Sequence, residues 1–118
     1  MSGLVAAFAL LVVTPVLAQD RAPAARQSLV ELAYVLGQSH ALRQRCEGPN
    51  DQYWRNRMTQ LLDVEASDQA LQARLANSFN TGYAAAQARF PKCGKDLKAE
   101  ASQLALHGQA LADQLARP

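Results

Sequence analysis

Isoleucine is absent from the 118-residue chain, and beyond residue 18 there are only three valines, Val30, Val35 and Val64. Strands draw on β-branched and aromatic residues, and aromatics make up only 6% of the chain, so a sheet protein is disfavoured. An Ala- and Arg-rich codon usage would give the same tally, so composition narrows the fold class without deciding it. An excess of charge of one sign is missing too. Twelve Lys and Arg against ten Asp and Glu leave a formal charge of +2, too balanced for a nucleic-acid footprint. No glycine-rich phosphate loop, C-x-x-C-H haem site or H-E-x-x-H zinc motif occurs, nor any internal repeat or low-complexity block. Metal binding by His40 and His107 lacks supporting ligand spacing, so no metal and no cofactor are expected.

What is present divides at residue 18. Met1–Ala18 carries no charged side chain, and its apolar run Leu4–Val13 is followed by Thr14-Pro15 and then Val16-Leu17-Ala18. A hydrophobic region followed by small residues at the discriminating positions reads as a signal peptide cleaved before Gln19. The competing reading, an inner-membrane anchor formed by residues 4–18, is weaker. A spanning helix needs about 20 apolar residues, and this run is shorter and contains a proline. No stable transmembrane span is therefore expected after cleavage, and the expected location is the periplasm. Export changes how Cys46 and Cys93 read. An even count in an oxidising compartment favours a disulfide, whereas a redox pair is more often C-x-x-C and zinc needs further ligands.

Beyond residue 18, 19 alanines and 12 glutamines accompany leucines at helical spacing. Residues 19–26 lack periodicity and read as a flexible leader, so that the helical domain runs from 27 to 118. A first helix over about Gln27–Cys46 carries Leu29, Leu32, Leu36 and His40 on one stripe, and Glu47-Gly48-Pro49-Asn50 stops it. Asn50 or Asp51 would cap a second helix with Trp54, Met58, Leu61 and Leu62 inward. Ser67 would cap a third helix carrying Leu71, Leu75, Phe79, Gly82, Tyr83 and Ala86 to about Arg89, with Gly82 allowing close helix approach. A fourth spaces Leu97, Ala101, Leu104, Gly108, Leu111 and Leu115 as a heptad seam. That seam is buried if the helix completes the bundle, and open to a partner helix if it detaches. The fold expected is all-α, a small antiparallel four-helix bundle in up-down order stapled by one disulfide. In that order the end of the first helix and the joint between the third and fourth fall at the same end, where Cys46 and Cys93 stand.

Chemistry-bearing residues gather around the first joint. On a helix Arg43 lies one turn beyond His40, and the turn at Glu47–Asn50 brings Arg43, Asp51 and Arg55 near one another. The third helix adds Asn80 and Tyr83 at i, i+3. One reading makes Arg43, Asp51, Trp54, Arg55, Asn80 and Tyr83 a surface for an anionic ligand or an envelope protein. A second makes His40 a general acid or base oriented by Asp51, with Arg43 or Arg55 holding an anionic group. A third makes the same groups a pinning network inside the bundle, with His40 bonding across it and Trp54 in the core. No serine or carboxylate pair stands in a nucleophilic or glycosidase arrangement, which favours a non-enzymatic role.

The segments Leu36-Gly37-Gln38-Ser39-His40-Ala41-Leu42-Arg43, Asp51-Gln52-Tyr53-Trp54-Arg55-Asn56-Arg57-Met58 and Phe79-Asn80-Thr81-Gly82-Tyr83, with the paired cysteines, carry a resemblance. Together they resemble an uncharacterised family of small exported proteins of alphaproteobacterial type, known by a domain of unknown function. The resemblance spans about Leu29 to Cys93, leaving the signal and the fourth helix as the variable parts. It implies export and pairing of the two cysteines, and it brings no activity with it. The function expected is that of a periplasmic binding or accessory module of the cell envelope.

Overall fold

Four helices make up the regular structure of the computed structural model, which describes residues 21–117. They are α1 (Pro23–Glu47), α2 (Tyr53–Val64), α3 (Gln69–Arg89) and α4 (Lys95–Ala116), and no strand occurs among the described residues. The all-α expectation is met, and Cys46 and Cys93 are bridged, with Cα atoms 5.0 Å apart. The expected signal segment, residues 1–18, lies outside the described residues.

The helix ends depart from expectation in ways that local chemistry explains. α1 begins at Pro23 rather than Gln27, so the last four residues of the expected leader are helical. Proline suits a first-turn position, where its missing N–H has no acceptor to lose, and Ala24, Ala25 and Arg26 are good helix formers. Gly48 ends α1 with φ +109°, the one positive φ among the described residues, and an L side chain there would be strained. α2 starts at Tyr53, whose N–H donates to Asp51 Oδ1 at 3.2 Å. α3 is capped by Asp68, not Ser67. Asp68 Oδ1 accepts the Leu71 N–H at 3.0 Å, and its other oxygen receives Arg26. That backbone N–H first, and the Arg26 guanidinium next, hold the Asp68 carboxyl below the usual carboxylate range.

The chain order is up, down, up, down, and the pairing of α1 with α3 shows it. Arg26 meets Asp68, Ser78 Oγ donates to Val30 O at 2.7 Å, Arg45 donates to Gln87 O and Phe90 O, and Cys46 joins Cys93. Partners ascend together, so α1 and α3 are parallel. α4 runs the other way, with His107 against Glu31 at 2.9 Å. The α1–α3 contact is unusually close. A Cβ on Gly37 would sit 2.0 Å from Phe79 O, and one on Gly82 would sit 2.2 Å from Tyr34 O. The two helices that would be diagonal in a square bundle thus touch backbone to backbone, and α2 and α4 are left flanking them.

Two apolar clusters follow. Leu29, Ala33, Leu36, Met58, Leu71, Leu75 and Phe79 fill the space among α1, α2 and α3. Val35, Ala41, Leu42, Ala86, Leu97, Leu104 and Leu111 join α4 to α1 and the end of α3. Leu97, Leu104 and Leu111, seven residues apart, bury the seam of α4, as a helix completing the bundle would. Fully burying one such leucine is worth about 1.5–3 kcal/mol. The two ends of α1 are fastened differently. The disulfide holds its C-terminus. At its N-terminal end Arg26 pairs with Asp68, and Arg21 Nε lies 2.8 Å from Glu65 Oε1. Glu65 is fully buried at the α2–α3 joint, where an unpaired carboxylate would be costly.

Candidate functional site

α1 buries His40 to 3% exposure, and the α1–α3 contact explains how. Gly37 lets α3 approach, and the imidazole one turn on meets Phe79 and Tyr83, with ring centroids 5.6 and 5.2 Å away. Nδ1 of His40 is buried without a hydrogen-bond partner. Burial pushes the imidazole pKa below its ordinary 6.5, the Arg55 guanidinium pushes it further, and the Asp51 carboxylate opposes both. At neutral pH the ring is therefore uncharged.

His40 forms the floor of a cleft of about 310 Å³ between α1, the start of α2 and α3. Gln44 and Phe79 flank it, Gln52 and Arg55 close it from α2, and Asn80 and Tyr83 close it from α3. The cleft is held open by one relay. The Tyr83 hydroxyl donates to Gln44 Oε1, and the Gln44 amide donates to Pro49 O at 2.9 Å and Asp51 O at 3.2 Å. One glutamine thereby fixes the first joint relative to α3, and with it the placement of Gln52 and Arg55. Arg55 pairs with no carboxylate among the described residues.

The expected cluster therefore divides in two. His40, Arg55, Asn80 and Tyr83 share the cleft. Arg43 and Asp51 instead form an ion pair beside it, with Arg43 Nε 3.0 Å from each Asp51 oxygen, and Arg43 also stacks over the Tyr53 ring at 4.7 Å. Asp51 is thus engaged by Arg43 and by the Tyr53 N–H, and it makes no hydrogen bond to His40. Trp54 turns to the other side of α1, half-buried against the first apolar cluster and edge-on to Tyr53 at 4.9 Å. Gln44, Gln52 and Phe79 complete the cleft, although on sequence grounds none of them is a site residue and Phe79 reads as core. Gln44 lies four residues after His40, so helical spacing alone places it on the same face.

Chemically the cleft is rich in hydrogen-bond donors and has one permanent cation. Its walls contain no carboxylate, serine, threonine or cysteine, so no carboxylate orients His40 within the cleft, and the one side-chain hydroxyl there is that of Tyr83, which is engaged by Gln44. Among the described residues no three His, Cys, Asp or Glu side chains are grouped to hold a metal ion, and no helix is long and apolar enough to cross a membrane.

These features define a class: a small all-α, disulfide-stapled four-helix protein with a polar cleft between α1, α2 and α3. Residues 25–117 match the family model described as "Protein of unknown function (DUF2385)", and the chain belongs to that family. The match runs through α4, so the fourth helix is part of the family's domain, whereas the sequence motifs alone extended the resemblance only to Cys93. No curated protein and no solved structure gives a significant match.

Proposed function

We propose that the protein is a binding module of the bacterial cell envelope. It is exported by the signal at residues 1–18 and recognises an anionic group in the His40 cleft. The observation that carries this reading is the pairing of an uncommitted Arg55 guanidinium with the amide donors of Gln52 and Asn80 over a buried, neutral His40. Such a set suits a carboxylate or phosphate oxygen, which takes charge-assisted hydrogen bonds from Arg and neutral ones from amides. A paired carboxylate at the same place would repel that group, and Asp51 is drawn off by Arg43. Export is supported by the disulfide, which persists in oxidising compartments.

The test is a titration followed by backbone-amide NMR, with N-acetylalanine as the carboxylate probe and phenyl phosphate as the phosphate probe. One of them should shift Gln44, Arg55, Asn80 and Tyr83 saturably, and Arg55→Gln should abolish the shifts while leaving the melting temperature unchanged. Shifts scattered over the surface, or retained in Arg55→Gln, would reject the cleft. Mass spectrometry of the periplasmic fraction should find the chain starting at Gln19, and an intact Met1 in membranes would reject export as a soluble protein.

A further inference from the structure

A second cavity lies on the opposite side of α1. α2 and α4 both pack on α1, but a groove of about 510 Å³ separates them. Its floor is Leu32, Val35 and Leu36 of α1, and its walls are Leu61 from α2 and Leu104 from α4. The α4 wall is low because Ala105, Gly108 and Ala112 stand there, where larger side chains would close the gap.

Ser39, Arg57, Gln109 and the Tyr53 hydroxyl break this apolar lining, and the first two have no partner of the usual kind. Ser39 is only 7% exposed, yet its hydroxyl makes no hydrogen bond within the described residues and opens on the groove. Thr59, Thr81 and Ser102 all return theirs to the carbonyl four residues back. Arg57 is the groove's one charged residue and has no carboxylate partner among the described residues. It donates to the Tyr53 hydroxyl at 3.4 Å, and its guanidinium lies 5.4 Å from the Tyr53 ring centre. Because α2 runs against α1, Ser39, Tyr53 and Arg57 fall toward the disulfide end, and Leu32, Leu61 and Ala112 fall toward the other. The cationic group thus stands at one end; the other end is apolar on its α1 and α2 sides, with the Gln109 amide on its α4 side held by Asp113 Oδ1 at 2.9 Å.

We propose that this groove takes the hydrocarbon chain of a single-chain anionic amphiphile, with the head on Arg57, Tyr53 and Ser39. The span from Ala105 to Ala112 is about 10–11 Å at 1.5 Å per residue, which accommodates about eight to ten carbons of an extended chain. A partner helix, about 10–12 Å across, fills more volume over that length than the groove contains. The volume lies within the range of small-molecule sites, about 300–1,000 Å³. The ligand class is therefore a medium-chain carboxylate. The site is separate from the His40 cleft and uses a different arginine of α2.

Trp54 lines the groove and is the only tryptophan, so its fluorescence reports occupancy of the full-length, disulfide-bonded protein. The probe is decanoate below its micellar concentration. A saturable change in Trp54 emission is expected. Octanoate should bind up to about fifteenfold more weakly, since each methylene buried is worth about 0.8 kcal/mol. Ala105→Leu with Ala112→Leu fills the groove from exposed positions, so the variant should melt as the parent does yet bind decanoate at least tenfold more weakly. Arg57→Gln should weaken decanoate about tenfold and leave uncharged decanol unaffected. Arg55→Gln should change neither. The proposal is overturned by absence of a saturable signal, by indifference to chain length, or by full binding in the double-leucine variant. Loss of decanoate binding in Arg55→Gln, which would place the ligand in the other cleft, overturns it equally. So does a signal produced only by anionic phospholipid vesicles and unaffected by the leucines, since that is surface adsorption.

Discussion

Among the described residues three glycines lie inside helices, and the same substitution should be destabilising at two of them and not at the third. Replacing a helical glycine by alanine stabilises an unhindered helix by up to about 1 kcal/mol. At Gly37 that gain meets a backbone obstacle. The new Cβ would lie 2.0 Å from Phe79 O and 2.8 Å from Phe79 C, and neither atom can rotate away. Bringing the closest contact to 3.0 Å requires α1 and α3 to part by about 1 Å. A gap of about 0.5–1 Å forfeits a quarter to a half of the dispersion energy of each contact it opens. The interface affected includes Leu29, Ala33, Leu75 and Phe79, all buried. Overpacking against side chains costs about 1–3 kcal/mol, and contact with backbone belongs at the top of that range. Subtracting the propensity gain leaves Gly37→Ala destabilised by about 2 kcal/mol, a fall of roughly 8–16 °C in melting temperature for a domain of this size. Gly82→Ala should behave alike, and the double variant should cost less than the sum, since one separation relieves both clashes. Gly108 is the control. Its Cβ would meet Val35 Cγ1 at 3.4 Å and Leu32 Cδ1 at 3.9 Å, so Gly108→Ala should melt at or above the parent temperature. Circular dichroism melts of the four variants decide the matter. A Gly37→Ala protein as stable as Gly108→Ala would refute the backbone contact between α1 and α3.

Two further outcomes follow from the same geometry. Replacing Cys46 and Cys93 together by serine should lower stability by about 4 kcal/mol, the loop-closure value for a 47-residue separation, as measured by urea denaturation. The neutral His40 makes stability pH-dependent. Its folded pKa is below the ordinary 6.5 of the unfolded chain, so the unfolded state binds more protons in the interval between the two. Stability should be full above pH 6.5 and fall as acid is added through that window, and His40→Gln should flatten this part of the profile. An identical acid slope in His40→Gln would mean that other groups produce it.

Helical spacing made the four helices and the inward leucines legible, because period and punctuation are local properties of the chain. The cysteine pairing was legible because up-down order puts both residues at one end. What the sequence could not display was which helices touch most closely. Gly37 reads as a residue on the His40 face, and only the position of Phe79 O turns it into a steric requirement. The division of the candidate cluster has a similar origin. Trp54 and Arg55 are adjacent in sequence and about 100° apart around a helix of 3.6 residues per turn, so they face different cavities. Arg55 and Arg57 stand about 200° apart and end on opposite sides of α1 for the same reason. Asp68 and Ser67 are both favoured caps, and the one that caps α3, Asp68, also receives Arg26 from 42 residues away. No local rule contains such a partner.

The disulfide also sorts the helices by topology. The covalent ring closed by Cys46 and Cys93 contains α2 and α3 entirely, while α1 enters it only at its last turn and α4 begins two residues after it. Linking the ends of the ring shrinks the unfolded ensemble of α2 and α3 but leaves α4 a tethered tail. α4 is retained by its apolar seam on α1, with exposed pairs such as His107 to Glu31 adding little. The helix that forms one wall of the groove is therefore the one free to peel away while the rest of the molecule stays closed, and hydrogen exchange should be fastest along its C-terminal half.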